Sequence, residues 1–452
     1  VGKRRLVSFL PYNGAMKTIV IIGGGAAGLA AAVSAGEYIR NNELDIEVAL
    51  FEQDERVGRS ILATGNGRCN VSNSRAEADA ASAFYNGEFV ARVLAGLRDR
   101  AGGSGEDGGA PTRFGASEPT DPVLRFFSDR GLAFREESDG RLYPAANKAT
   151  SVLDVLRAAA RRAGVVERCG CRVAAVEPPR ALSGRFTLRM ADGAFERADA
   201  VVIAVGGRAL DSLSVEGARV LRTRPVLGPL KTDPTWTREL DNIRLRCKVS
   251  LFRPQRSTER RMIAPPAAGE VLFRKYGLSG IVVYDLSRFA WAGDTVELNM
   301  LGCDPSGALA YLLRRRGRLS RALRGGPITC DDMLRGLVLP QIGHVVLKRC
   351  GLAGESACSD DALGALSAMI SAFPLEVQGM GDPAQCQVRR GGIDVASVSD
   401  IDLRMDGAEG LFCAGEALDV DGPCGGYNLH WAWASGLVAG RAAARFAEGE
   451  GA

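Results

Sequence analysis

Thr18-Ile-Val-Ile-Ile-Gly-Gly-Gly-Ala-Ala-Gly-Leu-Ala-Ala-Ala32 reads as a buried strand that turns on glycine directly into a helix. Ile19 to Ile22 supply the short β-branched run. Gly23, Gly25 and Gly28 then fit the dinucleotide fingerprint: the first allows the tight turn, the second lets a pyrophosphate approach the backbone, and the third lets the helix pack on the strand. The helix N-terminus beyond them presents unpaired N–H groups and the positive end of its dipole to that phosphate.

A second strand strengthens the reading. Ile46-Glu-Val-Ala-Leu-Phe-Glu52 ends in a carboxylate placed to accept hydrogen bonds from ribose hydroxyls, one helix and a turn after Gly28. An acid at Glu52 repels a ribose 2′-phosphate, so FAD or NAD is favoured over NADP here.

The chain has 452 residues, enough for two or three domains with sizeable cores. Its 46% hydrophobic and 24% charged residues are those of an ordinary soluble globular protein. A net charge of +4 is small for this length, so neither nucleic acid nor an acidic membrane surface is expected as a partner. Eleven cysteines, with no CxxC pair, point to reduced thiols in a cytoplasm. With only two histidines, His344 and His430, little material exists for a histidine metal centre or a Ser-His-Asp triad, and no metal is expected. The natural start is expected at Met16, the residues before it being a leader too short in its apolar part for a secretion signal. Ile19 to Ala35 is apolar but short and broken by glycines, so no membrane span is expected there.

Residues 53 to 73 have no clean helix or strand period and are rich in Gly, Asn and Arg. Because they follow the ribose-binding strand, they should run along the nucleotide toward a reactive ring. Arg59 and Ser60 are placed to meet the pyrophosphate, and Thr64, Asn66, Arg68 and Asn70 offer donors to ring oxygens and nitrogens. Phe89–Leu97, Pro122–Gly131 and Ser151–Ala163 have helical spacing, and Gly102–Gly109 reads as a surface loop. Strands return at 172–176, 185–189 and 200–205. Val173 is placed to pack on an adenine from a further parallel strand, and Ala204-Val-Gly-Gly207 to bring backbone near the dinucleotide. No second GxGxxG follows. Beyond Arg208 alternating strands such as 248–252, 270–273 and 295–299 predict a β-rich barrel or sandwich. Residues 305–373 are mostly helical in pattern, with 387–393 expected as a strand returning to the β domain.

The C-terminal stretch from Gly410 to Gly436 carries a strand, Leu411–Ala414, then Gly415-Glu416, a loop, and a helix opening near Gly425-Gly426. Glu416 can hold ribityl hydroxyls, and the helix N-terminus can stabilise negative charge at the N1 and C2 carbonyl edge of a reduced flavin. Gly23-Gly-Gly-Ala-Ala-Gly28, Thr64-Gly-Asn-Gly-Arg-Cys-Asn70, Gly277-Leu-Ser-Gly280, Gly415-Glu-Ala-Leu-Asp-Val-Asp-Gly422 and Gly425-Gly-Tyr-Asn-Leu429 together resemble the BaiN/RdsA family of FAD-dependent oxidoreductases, also labelled aminoacetone-oxidase-like.

The resemblance implies an α/β fold: a glutathione-reductase-type Rossmann FAD-binding domain (residues 16–207 and 398–452), interrupted by a β-barrel domain (208–304, with a return strand in 374–397) and a helical domain (305–373). It adds to the cofactor shell Ala26, Ala27, Gln53, Gly67, Cys69, Gly206, Asp421, Gly425, Gly426, Tyr427, Asn428 and Leu429, with Arg68, Tyr427 and His430 as candidates nearest the chemistry. It implies FAD as cofactor, with NAD(P)H as a transient reductant or an electron-donor protein in its place, and a small-molecule substrate. The activity implied is reduction of an activated C=C bond, of enone type and steroid- or bile-acid-like. Oxidation of small amines by O2, or an FAD-binding role linked to RNA modification, are the alternatives. Two positions depart from the family: His430 stands where glutamine is common, and Cys424 where threonine is common.

Overall fold

The computed structural model describes residues 16–100, 119–180, 184–255, 259–302, 305–323 and 326–449. The chain folds into two compact units, one of residues 1–223 and 390–452, the other of residues 224–389.

In the first unit, β1 (Lys17–Ile22) runs into α1 (Ala26–Asn41) and on to β2 (Ile46–Glu52). β3 (Ser72–Asn73), α2 (Pro122–Ser128), β4 (Val166–Cys169), β5 (Ala200–Ile203), β6 (Leu411–Cys413) and α3 (Tyr427–Glu448) are the other elements that matter for the site. The main sheet has the order β6-β5-β1-β2-β4, every pairing parallel. Parallel strands must be covered on both faces, which is why β1 and β5 are continuous apolar runs with Ile19, Ile21 and Val202 fully buried. The register sets Ile22 opposite Phe51 and Ile203, and Ile203 opposite Cys413. Four strands therefore end within one residue of the same level, and Glu52 at the end of β2, with Gly23, Ala204 and Ala414 just after β1, β5 and β6, lies at the carboxyl edge where ligands bind in open α/β sheets.

α1 and α3 pack against each other at very short range. A Cβ on Gly436 would lie 2.4 Å from the Ala27 carbonyl oxygen, and one on Gly440 2.1 Å from that of Ala31. Two glycines four residues apart thus let the backbone of α3 rest on α1, which holds the two ends of the chain in one core.

The second unit contains a closed barrel formed, in order around it, by the strands Leu230–Thr232, Gly277–Ser279, Arg260–Arg274, Arg244–Pro254, Thr295–Asn299 and Phe373–Met380. The helices Pro305–Ala322, Cys330–Leu334, Pro340–Cys350 and Asp360–Ser371 share its core.

The structure differs from the sequence reading at three places. The first unit keeps residues 208–223, because Ser214–Val215 pairs with the strand Val173–Glu177, and it regains the chain at Arg390 rather than near 398. Val173 does not join the parallel sheet: its strand pairs antiparallel with Phe186–Met190 in a separate four-stranded sheet, and the outer strand beside β2 is β4. The strand that takes that edge, Val166-Glu-Arg-Cys169, is half polar, so an apolar pattern does not single it out over the more apolar strand from Val173. The barrel's return strand is Phe373–Met380, whereas Gly391 packs on Arg222 of the first unit, where a Cβ would lie 2.5 Å from the Arg222 carbonyl. The expected loop at 102–109 and the leader before Met16 lie outside the described residues.

Candidate functional site

The turn after β1 is built for glycine. Gly23 has φ +106° and its N–H donates to the Phe51 carbonyl at 2.8 Å, while a Cβ there would lie 2.7 Å from the Ala204 carbonyl. A Cβ on Gly28 would lie 1.7 Å from the Gly23 carbonyl, so the helix cannot start this close with any side chain at that place. Gly25 caps α1 with extended backbone, leaving the first N–H groups of the helix, around Ala26 and Ala27, without intrahelical partners. Such a terminus can hold a phosphate.

Glu52 closes one side. Its Oε2 accepts from the Gly24 N–H at 2.7 Å and its Oε1 from the Asp54 N–H at 2.9 Å. Each carboxylate oxygen has a second lone pair for a ribose hydroxyl. Gln53, Arg59 and Ser60 are exposed, and Arg59 lies 3.5 Å from Asp54.

The loop 64–70 turns on left-handed backbone at Gly65, Asn66, Gly67 and Cys69. The Thr64 hydroxyl donates to the Ile61 carbonyl at 2.7 Å, and Asn66 is exposed. The Arg68 guanidinium donates to Asn147 and Glu137 and lies 3.9 Å over the Tyr143 ring, so it is held as a plane rather than left to swing. Arg68 in turn holds the Glu137 carboxyl below the usual range. Cys69 is fully buried, and that burial pushes its thiol up to about 11. Asn70 Oδ1 is buried and has no hydrogen-bond partner among the described residues. An orphaned carbonyl oxygen asks for an N–H donor, which the ring edge of a flavin has.

Gly415 joins the two ends of the chain. Its φ is +66°, and a Cβ would lie 2.7 Å from the Ala27 side chain at the start of α1. Its N–H donates to Ser435 Oγ at 2.9 Å and its carbonyl accepts from Trp431 Nε1 at 3.1 Å. Trp433 Nε1 donates to the Val71 carbonyl at 2.9 Å, so two tryptophans with one residue between them fasten α3 to both loops. Glu416 approaches Gly206, the cap of the short helix Gly207–Leu210, with Oε2 3.9 Å from where a Cβ would be.

The loop to α3 is held both from within and by residues outside it. Asn428 Oδ1 accepts from the Gly422 N–H at 2.8 Å, and its Nδ2 donates to the Gly422 carbonyl at 2.9 Å. Asp421 is fully buried and accepts from Arg390 Nε at 2.6 Å and Nη2 at 3.0 Å. Gly425 and Gly426 have φ of +116° and +106°, and a Cβ on Gly426 would lie 2.2 Å from the Ser72 carbonyl. Gly426 caps α3, the Tyr427 hydroxyl donates to Asp79 at 2.8 Å, and Leu429 is half-buried. His430 is buried, with Nδ1 2.8 Å from Ser72 Oγ.

The structure thus brings the fingerprint, Glu52, the 64–70 loop and the 415–430 loop into one unit at one sheet edge, and leaves Val173 in another sheet. Sequence reasoning missed Arg390, Ser72, Asp79, Asn147 and the two tryptophans. Only Trp431 and Trp433 left a signal, since a buried indole N–H needs an acceptor.

The family description "HI0933-like protein Rossmann domain" matches residues 17–100 and 114–442. The chain is 31% identical over 450 residues to the 3-dehydro-bile acid delta(4,6)-reductase of Clostridium scindens, covering 95% of this chain and 99% of that protein. It is 26% identical to the ribosomal RNA dihydrouridine synthase of Escherichia coli, covering 92% and 95%. Among solved structures, the 3-ketosteroid-delta4-(5alpha)-dehydrogenase of Rhodococcus jostii is 14% identical at a TM-score of 0.43, covering 96% and 98%. With both the family description and the bile-acid reductase matched over nearly its whole length, the chain belongs to the HI0933-like Rossmann family, the BaiN/RdsA family that its motifs indicate.

Proposed function

We propose that the protein is an FAD-dependent reductase of a carbon–carbon double bond conjugated to a carbonyl, in a small molecule of steroid or bile-acid type. The observation that carries this is the packing of Gly415 on Ala27, which joins the phosphate cradle and the C-terminal loop in a single site. The residues fit a flavin dinucleotide: a glycine cradle that no side chain can enter, a carboxylate at the end of β2, an unpartnered Asn70 Oδ1 and a second helix terminus at Gly426. The name of the relative that shares 31% of its residues supports the substrate class.

In this reading the N-terminus of α1 binds the pyrophosphate, Glu52 the adenosine ribose and Glu416 the ribityl chain. Asn70 Oδ1 accepts from the ring edge, and the first N–H groups of α3 offset negative charge there. Bound FAD supplies hydride chemistry; the protein supplies orientation, charge and exclusion of water. Tyr427, its hydroxyl on Asp79, and the plane of Arg68 on Tyr143 keep the two ring-edge loops in place.

The dihydrouridine synthase relative favours a second reading, in which the reduced double bond belongs to a uracil base in RNA. Anaerobic titration with NADH and NADPH, watching flavin absorbance, then separates the possibilities. Bleaching by a nicotinamide followed by recovery on adding a steroid enone supports the proposal. Bleaching only by a reduced carrier protein assigns the donor to that protein. Recovery with RNA and not with enones favours the second reading, and recovery with O2 alone at full turnover favours the amine oxidase.

A further inference from the structure

The helix Pro305–Ala322 of the second unit is fastened by one side only. Ala308 and Leu312 are fully buried, and Tyr311 and Leu319 pack against the core shared with the barrel. Arg315 and Arg316 are spent on that attachment. Arg315 Nε donates to the Met333 carbonyl at 2.9 Å, and Arg316 donates to the Cys358 carbonyl at 3.1 Å and to Asp360 at 2.6 Å.

The outer side carries two strips. Leu309 and Leu313, one turn apart, are 43% and 45% exposed, and Leu323 just beyond the helix is 53% exposed. Arg314, Arg318 and Arg321 follow at spacings of four and three residues, which sets them along the same exposed side. None of the three makes a hydrogen bond or ion pair among the described residues. Arg321 Nη1 is 3.9 Å from where a Cβ on Gly317 would be, so that guanidinium folds back over the turn before it. The helix has five arginines and no acid, more than the whole chain's net charge of +4. The rest of the molecule is thus slightly acidic, and the small total conceals a local strip of cations.

We propose that this side of the helix docks on a bilayer surface that contains anionic phospholipid. The leucines enter the acyl boundary, and the arginines, their stems lying along it, hold their guanidinium groups at the lipid phosphates. Charge complementarity alone would also suit RNA, but single-stranded bases are gripped by stacking, and no described residue of this helix exposes an aromatic ring. Protein interfaces are anchored by aromatic side chains, again missing here, and leucine is under-represented among such anchors. An anionic lipid surface matches both the open aliphatic carbon and the bare cations beside it. No helix among the described residues is long and apolar enough to cross a membrane, so the contact is peripheral. A substrate of steroid type partitions into lipid, and docking brings the enzyme to it; that consequence rests on the functional reading above, whereas the docking surface does not.

Co-sedimentation of the full-length protein with vesicles tests the proposal. Binding is expected to phosphatidylcholine mixed with phosphatidylglycerol and not to phosphatidylcholine alone, and it should weaken as salt is raised. Arg314→Gln, Arg318→Gln and Arg321→Gln together should weaken it roughly a hundredfold. A control of equal charge, Arg246→Gln, Lys248→Gln and Arg261→Gln at exposed positions of the barrel strands, should leave it nearly unchanged. Leu309→Gln with Leu313→Gln should weaken it about tenfold. All these side chains are exposed, so the urea midpoints of wild type and variants should coincide, which separates lost binding from lost fold. No binding to the mixed vesicles, equal binding to both kinds, equal losses in the two sets of cation variants, or no loss in the leucine variant overturns the proposal. Retention of ribosomal RNA by the same arginines without vesicle binding assigns the strip to nucleic acid, and a dimer dissolved by the leucine variant assigns it to a second copy of the chain; either result overturns the bilayer. Protein that takes up no flavin and still binds the mixed vesicles overturns the functional reading and leaves the docking surface standing.

Discussion

Replacing Asp421 by asparagine tests how the ring-edge loop is held. Asp421 and Arg390 meet through two hydrogen bonds of 2.6 and 3.0 Å, with side chains 0% and 12% exposed. Asp421→Asn keeps the shape and removes the charge that the Arg390 guanidinium meets in a largely dry place, where the Tyr85 ring, 4.0 Å away, and the Asp419 carboxylate are among its other neighbours. Losing one partner of a buried pair costs about 3–5 kcal/mol. At 1.4 kcal/mol per tenfold, that is roughly two to three and a half powers of ten in the unfolding equilibrium. The Tyr85 N–H donates to the Asp421 carbonyl and the Asp419 carboxylate accepts from the Gly391 N–H, so the damage falls on the loop itself and flavin content should fall with stability. Urea unfolding followed by tryptophan fluorescence and by flavin release measures both. The double variant Asp421→Leu with Arg390→Met removes both charges of the pair and is expected to recover part of the loss, since the Asp419 carboxylate also gives up its attraction to Arg390. A cost below about 1 kcal/mol for Asp421→Asn with full flavin retained would falsify the assignment of the pair as the anchor of this loop.

Further outcomes follow from the same geometry. Gly28→Val puts side-chain atoms where the Gly23 carbonyl lies, 1.7 Å from the first of them, and should abolish FAD retention; normal flavin content in folded protein contradicts the cradle. Glu52→Arg empties the site by removing the acceptor of the Gly24 N–H and of the ribose, read as the ratio of flavin to protein absorbance. The buried thiols of Cys69 and Cys413, pushed up to about 11 and about 12, stay protonated at pH 8 and should resist alkylation until urea is added; rapid labelling of either in native protein contradicts that burial. Glu77 has a folded carboxyl above its unfolded value, so the native state binds more protons and wild-type stability declines as pH rises from the ordinary carboxylate range through the raised value. Glu77→Gln should therefore gain relative to wild type between pH 4 and pH 7, and a constant difference across that range refutes it.

The sequence alone determined the parallel nucleotide fold, because its evidence is local. A β-branched run, a glycine turn and a helix stand next to one another from Ile19 to Ala32, and Gly28 cannot be replaced wherever that helix lies on that strand. The strand and glycine cap around Leu411 and Gly426 were legible for the same reason. Only the tertiary structure decided what those pieces do together. Gly415 touching Ala27, Arg390 holding Asp421 and Ser72 bonding His430 join residues far apart in the chain, and no pattern within a short window reports such pairs. Val173 shows the limit: its short apolar run suits either of two sheets, and the edge beside β2 went to β4 because pairing is settled by neighbours rather than by propensity.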